Sequence, residues 1–383
     1  MVRSLNLLIT RADMLTITES SIPDFQQDGF TVFTGIFKRP RANGYFDWVK
    51  IEAAKYQALE LKLNVLSQNY DVFVFRYPFA SYYLKKLSET YKHKIIFEHN
   101  TFELDEIMNN LKNDKPEFSF LPSRFCRYLE SSFYRILSEK FFTKRIFRNA
   151  KGGIAVTKEI AEYEQKKYTS YSIEVISNSV DVDAYPLRKV PEYTSSGMTM
   201  LMLLGARVDW HGTDRIINSI HEYYKNGGEK NIVLHVVGHY FPEHVELVKK
   251  SGLEKNIFFS TFKSQDELNR ICDECHLSLG SLAAFRAGLN EMSSLKVRES
   301  IARGFPMLTA VRDADLNSEP EFKPYFLQFP NNASFINLER VFDFMSCLYL
   351  EKDFQTSIRS LAMKYVDTKV KSLKLVKFID GLN

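Results

Sequence analysis

At 383 residues the chain exceeds what one ordinary hydrophobic core holds, and it suits two domains of similar size. A net charge of +4 is too small to mark a nucleic-acid binder, and no apolar run nears the roughly 20 residues that span a bilayer. Cys126, Cys272, Cys275 and Cys347 are too few and too scattered for a disulfide framework, so the chain is expected to be cytoplasmic.

The short apolar start, residues 1–10, reads as a buried first strand rather than a signal peptide. Residues 4–10 and 31–37 fit strands and 46–66 a long helix, with no Gly-rich turn after the first strand. From about residue 70, β-branched and aromatic runs alternate with amphipathic ones. Segments 71–77, 94–100, 153–157 and 173–178 read as buried parallel strands, and 80–91 and 124–149 as helices. A polar interval with Pro, Ser and Gly, 188–197, reads as a linker. The alternation then restarts, with strands at 198–204, 232–237, 257–260, 277–282 and 307–310. Helices fall at 213–226, 244–251, 265–275 and 295–302, and 332–383 is helical in pattern. Two such series imply an α/β protein of two doubly wound domains facing each other across a cleft.

The segment Gly288-Leu-Asn-Glu-Met-Ser-Ser-Leu-Lys-Val-Arg-Glu299 places Glu291 in a loop and Glu299 in the helix that the loop enters. A loop-to-helix junction presents free amides and the positive end of a helix dipole, which suits a diphosphate. A carboxylate one turn into the helix can take the two hydroxyls of a ribose, and one in the loop can meet those of a second sugar. Upstream, Gly205-Ala-Arg-Val-Asp-Trp-His-Gly212 follows an apolar strand, where doubly wound sheets bind ligands. Arg207 there can clamp a departing diphosphate. Gly238 ends another strand and permits close backbone approach.

Three patterns carry less than they suggest. Cys272-Asp-Glu-Cys-His276 spells a haem-attachment motif but straddles a helix end and a buried strand. Asp181-Val-Asp183 resembles a metal-binding pair but follows the last strand of the first domain. The segment 124–151 carries eight Lys or Arg against two Glu, interleaved with aromatics. It suits either an anionic membrane surface or a helix on the sheet with a basic outer face.

Taken in order, Gly153-Ile-Ala-Val-Thr157, Val175-Ile-Ser-Asn-Ser-Val-Asp181, the Gly205–Arg207–His211–Gly212 turn, Leu234-His-Val-Val-Gly238, Ile257-Phe-Phe-Ser-Thr261 and Glu291…Glu299 with Ala302-Arg-Gly-Phe-Pro306 resemble the retaining GT-B glycosyltransferases of family 4. The resemblance covers roughly residues 70–310. It implies two Rossmann-like domains, residues 1–190 completed by a C-terminal helix at 366–383, and residues 191–365. It also implies hexose transfer from a nucleoside-diphosphate sugar to a glycan or lipid-linked acceptor, without metal or cofactor. Such a protein would work in bacterial surface polysaccharide or glycoconjugate synthesis, at the inner face of the cell membrane. By the same resemblance Glu299 binds the ribose and Glu291 the donor sugar, while Gly205, Gly288, Leu289, Asn290, Ser294 and Leu295 hold diphosphate and sugar. His99, at a strand end beside Glu98 and Glu103, matches a histidine that touches the sugar. The family usually has lysine where this chain has His211, and Lys296 can supply the missing charge. A nucleotide-sugar 2-epimerase and a non-catalytic partner subunit are the competing expectations.

Overall fold

The computed structural model describes residues 14–18, 24–27, 30–36, 47–104 and 122–382. The strand expected at 4–10 lies outside them. The chain forms two compact units. One reaches Ile176 and takes up Ser372–Asn383 again, and the other is the continuous Ser177–Lys371.

The first unit opens with β1 (Met14–Thr18), β2 (Phe25–Gln27) and β3 (Phe30–Ile36), in the order β1-β3-β2. The helix α1 (Asp47–Leu66) leads into a parallel sheet of β4 (Phe73–Arg76), β5 (Ile95–His99), β6 (Gly152–Ala155) and β7 (Ile173–Val175). Between these strands lie α2 (Tyr82–Thr90), α3 (Pro122–Asn149) and α4 (Lys158–Lys167). Side chains of a strand alternate between faces, and β5 shows it. Ile95 and Phe97 pack with Phe147 and Tyr171, whereas Ile96 packs with Ile154, Ile176 and Leu375.

The second unit is built on β8 (Gly197–Leu204), β9 (Asn231–Gly238), β10 (Ile257–Ser260), β11 (Leu277–Leu279), β13 (Met307–Thr309) and β15 (Phe326–Gln328). They form one parallel sheet in the order β10-β9-β8-β11-β13-β15. Numbered as the chain makes them, that order is 3-2-1-4-5-6, the doubly wound arrangement, and it reverses between β8 and β11. A separate two-stranded ribbon pairs β12 (Glu291–Met292) with β14 (Arg312–Asp313). Around these lie α5 (Thr213–Lys225), α6 (Pro242–Lys250), α7 (Gln265–Glu274), α8 (Leu295–Ala302), α9 (Leu338–Leu348) and α10 (Phe354–Tyr365). The last helix, α11 (Thr368–Gly381), starts in this unit and continues into the first from Ser372.

Local chemistry sets these boundaries. Ser264 and Glu267 form a reciprocal capping box at the start of α7. Gly238 lets β9 end hard against β8, because a Cβ there would stand 2.0 Å from the Leu204 carbonyl oxygen and its φ is +121°. The interval 188–197, expected as a linker, lies inside the second unit. Arg188 is buried there, donates to the Cys275 carbonyl at 2.7 Å and stacks on Phe305. Pro, Ser and Gly mark an irregular path, and in this case the path is packed. Cys272 and Cys275 are buried thiols, and both nitrogens of His276 are engaged with the backbone of Thr199 and Glu192.

Candidate functional site

Ligands of doubly wound sheets bind beyond the carboxyl ends of the strands, at the reversal of strand order. In the second unit that place is made by the turn 205–212 after β8 and the loop 280–290 after β11. The two are laced together: the Leu282 amide donates to the His211 carbonyl at 3.0 Å and the Ala283 amide to Trp210 at 3.2 Å. Gly212 permits this, since its φ is +72° and a Cβ would lie 2.9 Å from the Ala283 nitrogen.

His211 is pressed into the junction, 9 % exposed. The Lys296 ammonium, in the first turn of α8, reaches across to its Nδ1 at 2.8 Å. No carboxylate lies within ion-pair distance of Lys296 among the described residues. Burial pushes the Lys296 ammonium down to about 7. Burial, then the neighbouring Lys296 charge, pushes the His211 imidazole down to about 3. With Lys296 donating to Nδ1, the neutral ring carries its proton on Nε2; that buried atom makes no hydrogen bond of ordinary geometry, although the Ala206 backbone stands near enough to favour the protonated ring. Ser281, in the loop after β11, contributes a buried hydroxyl without a protein partner. Ser294 precedes α8 but does not cap it with its side chain, so the first amides of that helix have no intrahelical acceptor. A half-buried cation without a carboxylate partner, an N–H without a well-formed hydrogen bond and an open helix start together suit an anion.

The remaining expected residues of this unit sit on these two loops, on β12 and on α8. Arg207 is exposed, has no hydrogen-bond or ion-pair partner among the described residues, and lines a cavity of about 420 Å³ with Gly238, His239, Tyr240 and Thr261. Gly205 and Gly288 are exposed beside these turns. Leu289 and Asn290 are fixed through their carbonyls, which accept from Asn331 Nδ2 and the Arg312 amide. Glu291 was expected in a loop, yet the structure places it in β12, opposite Arg312. Glu299 faces partly outward from α8, with the Arg303 guanidinium 3.3 Å from Oε1.

In the first unit His99 ends β5 as expected, but its ring is wholly buried among Tyr77, Phe147 and Tyr171. Nδ1 lies 3.3 Å from Glu103 Oε1 and Nε2 lies 3.2 Å from the Tyr171 hydroxyl. Glu103, Glu164 and His99 are close enough to hold a cation, and Lys167 already stands there, 2.9 Å from each carboxylate. Burial and the Glu103 charge push Glu164 well up toward its neutral form. Against burial, the His99 hydrogen bond and Lys167 keep Glu103 low. As it stands, the His99 ring offers a ligand no surface.

Sequence reading missed Ser281, Arg298, Asp313 and Asp315. Ser281 carried no signal beyond its place after a strand, and Arg298 reads as an ordinary helix-face charge. Only the fold brings Ser281 to the reversal point and gathers Arg298 with Asp313 and Asp315.

No family model matches the sequence, and no curated protein does. Solved structures do match in shape. A sucrose-phosphate synthase from Thermosynechococcus elongatus superposes with a TM-score of 0.65 at 11 % identity, over 97 % of this chain and 88 % of that one. The chain has the GT-B fold. WaaG, a glycosyltransferase of lipopolysaccharide biosynthesis, gives 0.56 at 16 % identity, covering 99 % and 94 % of the two chains. HepE from Anabaena, solved with UDP and glucose, gives 0.51 at 13 % identity over 96 % and 99 %. At such identities the likeness fixes the fold and its two Rossmann-like domains.

Proposed function

We propose that the protein is a retaining glycosyltransferase that moves a hexose from a nucleoside-diphosphate sugar to a glycan or lipid-linked acceptor. The observation that carries this reading is the half-buried Lys296 ammonium, which has no carboxylate partner among the described residues, against His211, whose Nε2 makes no hydrogen bond of ordinary geometry, at the start of α8. A diphosphate supplies the negative charge that this site lacks. The solved neighbours add support, since HepE was captured with UDP and glucose.

In this reading Lys296, His211 Nε2–H, Arg207 and the amides at Ser294 and Leu295 hold the diphosphate and stabilise its departure. Such electrostatic preorganisation is commonly the largest catalytic effect. Glu291, fixed on its ribbon by Arg312, holds the sugar and its developing positive charge, and Glu299 takes the ribose hydroxyls. The leaving phosphate accepts the acceptor's proton, so no protein base is required. His99, enclosed with Glu103 and Lys167, is assigned a positioning role within the first unit. Neither metal nor cofactor enters this scheme.

A thermal-shift screen with UDP, GDP and ADP tests the donor reading. The right nucleotide at a hundredfold excess over its Kd adds about 2.7 kcal/mol of stability. If none of the three raises the melting temperature, the reading fails.

The outer face of α3 supports contact with an anionic lipid surface, the expected place of a lipid-linked acceptor. Phe133 and Phe141 are 65 % and 70 % exposed, and Lys140, Lys144, Arg145 and Arg148 are exposed on the same helix. Each basic residue near such a surface adds about 1 kcal/mol. No described helix is long and apolar enough to cross a membrane. Sedimentation with vesicles should show binding to phosphatidylglycerol that Lys144→Glu with Phe141→Ser weakens. Equal binding to neutral phosphatidylcholine would remove the electrostatic contact.

A further inference from the structure

Arg298 is wholly buried in α8, one residue before Glu299. Its guanidinium donates to Asp313 at 2.7 Å, to Asp315 at 2.7 Å, to Ser293 Oγ at 3.1 Å and to the Asn178 carbonyl at 3.0 Å. Asp313 lies on β14, the strand that holds Glu291 in place, and Ser293 follows β12. Asp315 also receives the Ser177 hydroxyl at 2.7 Å and the Lys371 ammonium at 2.6 Å. Ser177 and Lys371 are the first and last residues of the second unit. Asn178 adds its amide to Ser293 Oγ at 2.8 Å and its side chain to the Ser293 carbonyl at 2.5 Å.

One buried cluster therefore bonds three things together: the Glu291 ribbon, the peptide by which the chain enters this unit, and the peptide by which it leaves. Two cations face two carboxylates in this cluster, and against the opposing effect of burial the Arg298 and Lys371 charges hold the Asp315 carboxyl below its usual range. Buried ion clusters of this kind add little net stability over apolar packing, and their best attested use is to specify one arrangement. Here the arrangement joins the segment read as the diphosphate loop to both chain crossings, which lie far apart in sequence.

We propose that Arg298 and Asp315 are positioning residues through which an occupied diphosphate loop stiffens the two peptides that join the units. This rests on the donor reading above. Ordering the loop orders Ser293, and Ser293 shares Arg298 and Asn178 with the entry peptide. Asp315 carries the same constraint to Lys371 at the exit. No movement of the units is required for the coupling, only a lower opening frequency of the crossing peptides.

Hydrogen exchange of the full chain, with UDP, GDP and ADP added separately, tests it. The effective nucleotide is expected to slow exchange in residues 288–295, and also in 177–180 and 367–372 by about 5- to 150-fold, the usual span of coupling between sites. Lys371→Met and Ser177→Ala leave the Arg298 pairs intact, so the fold is retained. In these variants the nucleotide should still protect the loop while protection of the crossings shrinks. Arg298→Lys, which keeps charge but loses the fork, should lose the coupling further. Protection of the loop alone in the unmutated chain would overturn the coupling and leave the donor reading standing. Protection nowhere, with any of the three nucleotides, would overturn both. Unchanged crossing protection in Lys371→Met and Ser177→Ala would also overturn the proposal, because the route through Asp315 would then be unused.

Discussion

Lys296→Met is expected to make the free protein more stable and to abolish its stabilisation by a nucleoside diphosphate. Lys296 has a folded pKa of about 7 against an ordinary 10.5, and the cause is burial. The sign follows from proton counting. Below pH 7 both states hold the proton, and the folded state bears the full cost of a buried charge. Between pH 7 and 10.5 the folded state has released it while the unfolded chain has not, so stability rises with pH across that window. The full cost is bounded at about 5 kcal/mol by the size of the shift. Its place in the first turn of α8, at the positive end of the dipole, adds to the disfavour. Methionine keeps an unbranched stem without charge. It leaves His211 Nδ1 without a donor, which returns about 1–3 kcal/mol of the gain. The net expectation is a melting temperature several degrees above the unmutated chain near pH 6.5, with the difference shrinking toward pH 9. A bound diphosphate favours the charged lysine, so nucleotide affinity of the unmutated chain should fall as pH rises above 7. Melting curves over pH 6–9, with and without nucleotide, report both effects. A variant that is less stable when free yet still stabilised by nucleotide would show that Lys296 serves packing rather than the anion.

Replacing Glu291 by alanine should lower sugar transfer by about 10²- to 10³-fold, the usual consequence of removing one group that stabilises transition-state charge. Nucleotide affinity should hardly change, because the diphosphate contacts lie on the turn at 205–212 and on α8. Glu299→Gln is expected to behave differently. A carboxylate on the ribose binds ground state and transition state alike, so its loss raises KM about tenfold and leaves kcat near its original value. Nucleotide release from UDP-, GDP- and ADP-sugars, with and without a glycan acceptor, separates the two patterns. Turnover unchanged by Glu291→Ala would refute its contact with the sugar and favour a non-catalytic partner subunit. Release that is as fast without acceptor as with it would favour an epimerase.

Much of the second unit was legible because its elements obey simple periods. The run 295–302 reads as a helix and is one, and the strand 257–260 occupies the residues that its β-branched and aromatic pattern marks. Where charge is buried, the pattern fails. The helix α4 is dense in Lys and Glu and buries little more than Ile160, Ala161 and Glu164, so its period is masked. Its cap was visible in Thr157, whose hydroxyl accepts the Ile160 amide, but Thr157 also ends a run of strand-like residues. At the site, Arg207, Glu291 and Glu299 could be placed from strand ends and a helix start. Lys296 was expected to make up for the charge missing at His211, but their direct contact could not be read, because it depends on how two distant segments cross at the strand reversal. Arg298 was the hardest of all. A lone arginine between valine and glutamate reads as solvent-facing, and Asp313, Asp315, Ser293 and the Asn178 carbonyl together make its burial tolerable.

The return of α11 to the first unit has a consequence for synthesis. Leu375 fills the layer formed by Ile96, Ile154 and Ile176, with Phe378 beside it. A ribosome delivers those residues only after the whole of Ser177–Lys371 has emerged. The second unit is continuous and can close as soon as it is clear of the exit tunnel, whereas the first begins earlier and must wait with one apolar layer uncovered. The half of the protein that is made first is thus the half that is finished last, and chaperone demand during translation falls on its β4–β7 sheet.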